Sequence, residues 1–143
     1  MEEAVRKSDF NLSDYSPAAL AYLGDAVYEI LVRKYIVGNG DVKASTLNDK
    51  ARVFVTACAQ SAAVDIITPM LSETELAIYK SGRNLNSAKA PRAATVGEYR
   101  RATGLEVLFG YLYLSEKQER ADELFDAIVK GCEKPDCSYN VKQ

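Results

Sequence analysis

The stretch Ser16-Pro17-Ala18-Ala19-Leu20-Ala21-Tyr22-Leu23-Gly24-Asp25-Ala26-Val27-Tyr28 begins as a helix begins, with serine at the N-cap and proline at the first helical position. Leu20, Leu23, Val27, Ile30 and Leu31 then recur at helical spacing, so this face should enter a core. The helix should stop near Gly38-Asn39-Gly40. Inside the apolar run stands one isolated acid, Asp25. A second run, Gly104-Leu105-Glu106-Val107-Leu108-Phe109-Gly110-Tyr111-Leu112-Tyr113-Leu114, has the same character and also carries one acid, Glu106. Both acids are expected to be buried. A buried carboxylate costs several kcal/mol unless it shifts its pKa or finds a counter-charge, a metal or a proton.

Between and after these runs the pattern stays helical. Ala44 to Met70 alternates small and apolar residues at helical intervals, as two shorter helices broken near Ala57 to Ser61. Ser72-Glu73-Thr74-Glu75 is a capping box, opening a helix that Gly82 should end. Arg83 to Gly97 lacks apolar periodicity and holds Gly, Asn, Ser, Pro and cations, which predicts an exposed loop. Glu98 to Leu114 is the next long helix, and Gln118 to Lys130 is a last amphipathic one, ended by Gly131. No segment alternates as a strand does. The fold class is therefore all-α, with one domain over residues 1–131 and a polar tail over 132–143 expected to fray.

A chain of 143 residues, 48% of them hydrophobic, can bury a core without staples. It contains no histidine, which excludes catalysis by an imidazole, whether in a Ser-His-Asp triad or a Cys-His pair. Cys58, Cys132 and Cys137 are odd in number, and their spacing fits no zinc knuckle. The N-terminus lacks the apolar run of a signal peptide, and no uninterrupted apolar span approaches transmembrane length, so a reduced cytoplasmic setting without a membrane is expected. The net charge of −2 hides a strong local asymmetry. From residue 80 to 101 the chain carries Lys80, Arg83, Lys89, Arg92, Arg100 and Arg101 against the single acid Glu98. Such a patch suits phosphate contacts, with Arg83, Lys89 and Arg92 the strongest candidates.

Two acids and a basic segment, without histidine, point to hard-metal phosphodiester chemistry. Magnesium takes one or two protein carboxylates and fills its other positions with water and substrate phosphate oxygens, a minimum that Asp25 and Glu106 meet. A metal so held promotes hydrolysis without an imidazole.

The residues carry a family resemblance. Leu23-Gly24-Asp25-Ala26-Val27 resembles the core of the ribonuclease III signature Glu-x-x-Glu-Phe-x-Gly-Asp-Ala. Thr103-Gly104-Leu105-Glu106-Val107-Leu108-Phe109-Gly110-Tyr111-Leu112-Tyr113 resembles the second signature, Asp-x-x-Glu-Ala-x-x-Gly-Ala. Both in order, with Gly82-Arg83-Asn84 and the basic loop between them, resemble Mini-ribonuclease III, the short bacterial branch, over roughly Leu20 to Lys130. No separate double-stranded-RNA-binding domain is expected after Lys130, in keeping with that branch.

The resemblance implies that Asp25 and Glu106 are catalytic and metal-binding, with Mg2+ as cofactor and Mn2+ able to substitute; the basic loop itself makes Arg83, Asn84, Lys89 and Arg92 the expected RNA contacts. The resemblance further implies a homodimer that cleaves double-stranded RNA and matures the ends of the 23S ribosomal RNA precursor, with a ribosomal protein on that substrate as a further partner. The chain departs from the signatures at Ala18, Ala21 and Thr103, where full-length ribonuclease III has carboxylates that help to hold metal.

Simpler readings stand beside these. Asp25 would then pair with an arginine such as Arg33, Glu29 would form an i+4 salt bridge to Arg33, and the basic loop would be solvated surface. Tyr22, Tyr28, Tyr111 and Tyr113 lie in apolar runs and are expected in the core. The apolar face left over on the first helix and on the Glu106 helix is expected to form the dimer contact. The competing function is a catalytically degenerate ribonuclease III fold that only binds structured RNA or ribosomal particles; a helical protein-interaction adaptor would leave the basic loop and the acids without a purpose.

Overall fold

The computed structural model describes residues 10–40, 43–85 and 95–132, and within them the chain is helical with no strand. Six α-helices follow in order: α1 (Pro17–Gly38), α2 (Ala44–Val55), α3 (Ala57–Ile67), α4 (Glu73–Arg83), α5 (Val96–Leu114) and α6 (Gln118–Cys132). The local signals explain most of the boundaries. Ser16 caps α1 by accepting from the Ala19 N–H at 3.0 Å, and Asn39 closes it before Gly40, whose φ of 92° suits glycine. Thr56 both ends α2 and caps α3, accepting from the Ala59 N–H at 3.1 Å. The break therefore precedes the expected Ala57 to Ser61 window, because a threonine hydroxyl there satisfies an orphan donor. The Ser72–Glu75 capping box is complete, and Thr95 with Glu98 forms a second one. That second box starts α5 at Val96 instead of Glu98, and α4 runs one residue beyond Gly82, so the expected loop from Arg83 to Gly97 is shorter at both ends. Likewise α6 continues past Gly131 to Cys132.

The centre of the molecule is α5, packed most extensively against α1 and α4 and also against α3 and α6. It is buried around most of its circumference, as a helix apolar on all sides must be. Leu105, Val107, Leu108, Phe109 and Leu112 have no exposed surface, and each large side chain so buried contributes about 1.5–3 kcal/mol. Tyr28 of α1 meets Phe109 of α5 and Phe125 of α6 edge-on, with ring centroids 5.2 and 5.6 Å apart. On α6 the buried positions are Ala121, Leu124, Phe125, Ile128 and Val129, a regular amphipathic stripe.

The face that α1 buries differs from the expected one. Leu20, Gly24, Tyr28, Val32 and Ile36 are buried, an unbroken i+4 row, whereas Leu23, Val27 and Leu31 are half-buried and Ile30 is 65% exposed. The cause is Gly24. A β-carbon there would overlap the Glu106 carbonyl, and one at Gly110 would overlap the Leu20 carbonyl. Two glycines thus let the backbones of α1 and α5 touch, and the i+4 ridge containing Gly24 becomes the contact row. Tyr22 and Tyr113 also depart from expectation, being 86% and 46% exposed, while Tyr28 and Tyr111 are in the core. No single helix among the described residues is long and apolar enough to cross a membrane.

Candidate active site

Asp25 follows Gly24 on α1, and Glu106 lies one helical turn before Gly110 on α5. The backbone contact that the glycines permit therefore brings these two acids together, from positions eighty-one apart in sequence. Both line one open cleft of about 260 Å³. Asp25 is exposed rather than buried, because its position is one residue off the contact row and at the edge of the helix interface. Glu106 is half-buried.

The pair is electrostatically strained. Burial first, then the negative charge of Asp25 and a hydrogen bond with it, push the Glu106 carboxyl up to about 8. Among the described residues no salt bridge reaches either group. The alternative partner for Asp25 is occupied elsewhere, since Arg33 pairs with Glu29 at 3.0 Å. Two facing carboxylates without a counter-cation form a donor set suited to a hard divalent ion. Among the described residues no cluster of three or more acidic, cysteine or histidine side chains forms a larger metal site.

The rest of the cleft wall is informative. Ala18 and Ala21 face it from α1 and Thr103 faces it from α5, so the three positions that depart from the signatures belong to the same cleft as the two that match. Thr103 turns its hydroxyl back on its own helix, donating to the Tyr99 carbonyl at 3.0 Å. Tyr22, Tyr99 and Leu85 complete the lining and were not singled out from the sequence as site residues. For the two tyrosines the signal was helical phase: Tyr22 precedes Asp25 by three residues, and Tyr99 precedes Glu106 by seven, which places each on the face of its acid.

Of the expected RNA contacts, Arg83 and Asn84 stand at the end of α4, where the Arg83 Nε donates to the Asn84 side chain at 3.1 Å. Lys89 and Arg92 lie outside the described residues, as does most of the basic loop. Arg101 serves structure, tying α5 to α3 through Ser61 and Asp65.

Comparison with known proteins agrees with this architecture. A sequence model of the Ribonuclease III domain matches residues 18–117, a span that holds both carboxylates and both glycines of the α1–α5 contact. Mini-ribonuclease 3 of Clostridium tetani is 41% identical over 128 residues, covering 89% of this chain and 83% of that protein. The chain belongs to the ribonuclease III family, in its Mini-ribonuclease III branch. Mini-ribonuclease 3 of Brevibacillus brevis is 42% identical, with 91% of this chain and 96% of that protein covered. A crystal structure of a Fusobacterium nucleatum protein superposes with a TM-score of 0.74 at 37% identity, over 82% of this chain and 94% of that one. As a member of the Mini-ribonuclease III branch, the chain is a ribonuclease III-type endoribonuclease.

Proposed function

We propose that this endoribonuclease is magnesium-dependent, that it cleaves double-stranded RNA by phosphodiester hydrolysis, and that its substrate is the 23S ribosomal RNA precursor. The observation that carries the reading is the juxtaposition of Asp25 and Glu106 in one cleft, with Glu106 driven toward its neutral form by burial first and then by its neighbour Asp25. Asp25 and Glu106 are the residues that would hold the cation, Mg2+ or Mn2+. When bound, such an ion supplies Lewis-acid stabilisation of the charge that builds on a phosphodiester in its transition state. The two carboxylates would hold the cation from α1 and α5, in an open cleft that Tyr22 and Tyr99 also line. Arg83, Asn84, Lys89 and Arg92 would grip flanking phosphates, fixing register without reading bases. A-form RNA suits this division, because it is bound chiefly through shape, phosphates and 2′-hydroxyls.

The assembly we infer is a homodimer. In support, α1 leaves Ile30 65% and Val37 59% exposed, seven residues apart on one helical face, an apolar surface costly to leave in water. The setting is the cytoplasm, where precursor ribosomal RNA is met, and a ribosomal protein on the precursor would be a partner.

The deciding experiment is a gel assay of a long perfectly paired RNA and its single-stranded counterpart, with magnesium, with EDTA and with the Asp25→Asn protein. Magnesium-dependent cutting of the duplex alone, absent in the variant, is the expected result. Binding without cutting, for both the duplex and a structured 23S precursor, would refute it. Replacing Arg83, Lys89 and Arg92 together by alanine should weaken duplex binding and flatten its dependence on salt, whereas an unchanged slope removes them from the interface.

A further inference from the structure

On the far side of α5 from the acid pair is a second concave site of opposite sign. Arg101 is five residues from Glu106, about 140° around the helix at 3.6 residues per turn, and so faces α3 and α4 instead of α1. There it lines a groove of about 490 Å³ with Lys80, Arg83 and Tyr79. Asp65 is the sole acid in that lining, and it is already engaged by Arg101 at 2.6 Å. Lys80 and Arg83 meet no carboxylate among the described residues.

The groove is built rather than incidental. Arg101 is fixed by three hydrogen bonds, from Nε to the Ser61 hydroxyl at 2.8 Å and from Nη2 to the Ser61 carbonyl at 2.9 Å and to Asp65. The Arg83 guanidinium lies 5.9 Å from the centre of the Tyr79 ring, and Tyr79 is only 4% exposed. A cation in the last turn of α4 gains from the helix dipole, which accounts for Lys80 and Arg83 taken alone. It does not account for the concavity, whose wall is closed by Arg101 from another helix, its own charge offset by Asp65. Three cations and one satisfied acid leave two charges uncompensated, and a concave wall focuses their field on whatever enters.

We propose that this groove between α3, α4 and the start of α5 binds a phosphate group. Two sources offer that chemistry: the backbone of the substrate RNA beyond the cleft, or a free polyphosphate. The first rests on the reading that the chain takes duplex RNA, and the second does not.

Two variants of the full chain test it. Lys80→Ala removes one uncompensated cation. Asp65→Asn removes the acid while keeping an acceptor for Arg101, at a side chain 76% exposed. Tripolyphosphate is titrated against each protein by NMR, and a perfectly paired RNA duplex is bound to each in an Asp25→Asn background across a range of salt. Lys80→Ala should weaken binding about threefold, the size of one exposed charge contact. In the RNA arm it should also lower the salt slope by about one. Asp65→Asn should tighten binding, which a merely structural Asp65 would not do.

A response in the RNA arm assigns the groove to the nucleic-acid backbone, and a response to tripolyphosphate alone assigns it to a free polyphosphate. No response in either arm, or weaker binding by Asp65→Asn, overturns the proposal. If the starting protein binds no duplex at all, the substrate reading fails while the tripolyphosphate arm still decides the groove.

Discussion

Glu106 carries the clearest consequence of the α1–α5 contact. Its carboxyl is pushed up to about 8 from an ordinary 4.5, so between those values the folded chain holds a proton that the unfolded chain releases. Its contribution to stability is therefore greatest below pH 4.5 and is lost as pH rises through about 8. Urea titrations in EDTA should show stability falling across that window, and Glu106→Gln should flatten the fall. The same variant should keep its fold and its affinity for duplex RNA while cleavage nearly vanishes; comparable turnover would remove Glu106 from the chemistry. Tyr28 presents the opposite case. Its ring is in the core, its hydroxyl has no hydrogen-bond partner among the described residues, and burial pushes the phenol far up. Tyr28→Phe should therefore be neutral or stabilising by up to about 1 kcal/mol in urea unfolding, since it deletes an unsatisfied group and keeps the ring contacts. A large loss would show that the hydroxyl is satisfied by bound water.

Two helix pairings depend on particular side chains or on their absence. Gly24→Ala places a methyl group on the Glu106 carbonyl, which cannot move without disturbing α5. Overpacking of this kind costs about 1–3 kcal/mol, and the only relief is to separate the helices that carry the acids. Cleavage by this variant, assayed where circular dichroism shows it folded, should drop by more than its lost stability explains. Near-normal turnover would mean that the acids tolerate a wider gap. The start of α4 depends on Arg120 of α6, which reaches Glu75 at 2.8 Å and the Met70 carbonyl at 2.7 Å. Its hydrogen bonds hold Glu75 below the ordinary carboxylate range, so this contribution is present above pH 4.5 and is lost as pH falls through the lowered value. Arg120→Ala strands a mostly buried carboxylate and should cost about 2–3 kcal/mol by denaturant titration. Adding Glu75→Gln should recover part of that loss.

For the molecule entire, the proposed homodimer makes a separate prediction. Sedimentation should give a dimer for the unaltered chain and a monomer for Ile30→Glu, which places a charge on a surface 65% exposed in the subunit. An unchanged dimer would move the contact to another face. The groove and the cleft lie on opposite sides of α5, so a molecule of modest net charge presents a negative and a positive concavity on the same central helix.

Helix identity was legible in the chain because its signals are local. Ser16-Pro17, the Ser72–Glu75 box and the stripe of α6 each act within a turn or two, and each appears where it was read. Thr95 with Glu98 was equally readable. The two acids were legible as isolated charges in apolar runs, and the family signatures assigned them to one chemistry. Their meeting was decided by tertiary structure alone. Which row of α1 is buried depends on how closely α5 approaches, and that is set by Gly24 and Gly110, whose effect is an absence of side chain felt only by the facing backbone. For the same reason Asp25, Tyr22 and Ile30 came out exposed within an apolar run. Composition says that a residue can be buried, but the geometry of the facing helix selects which residues are.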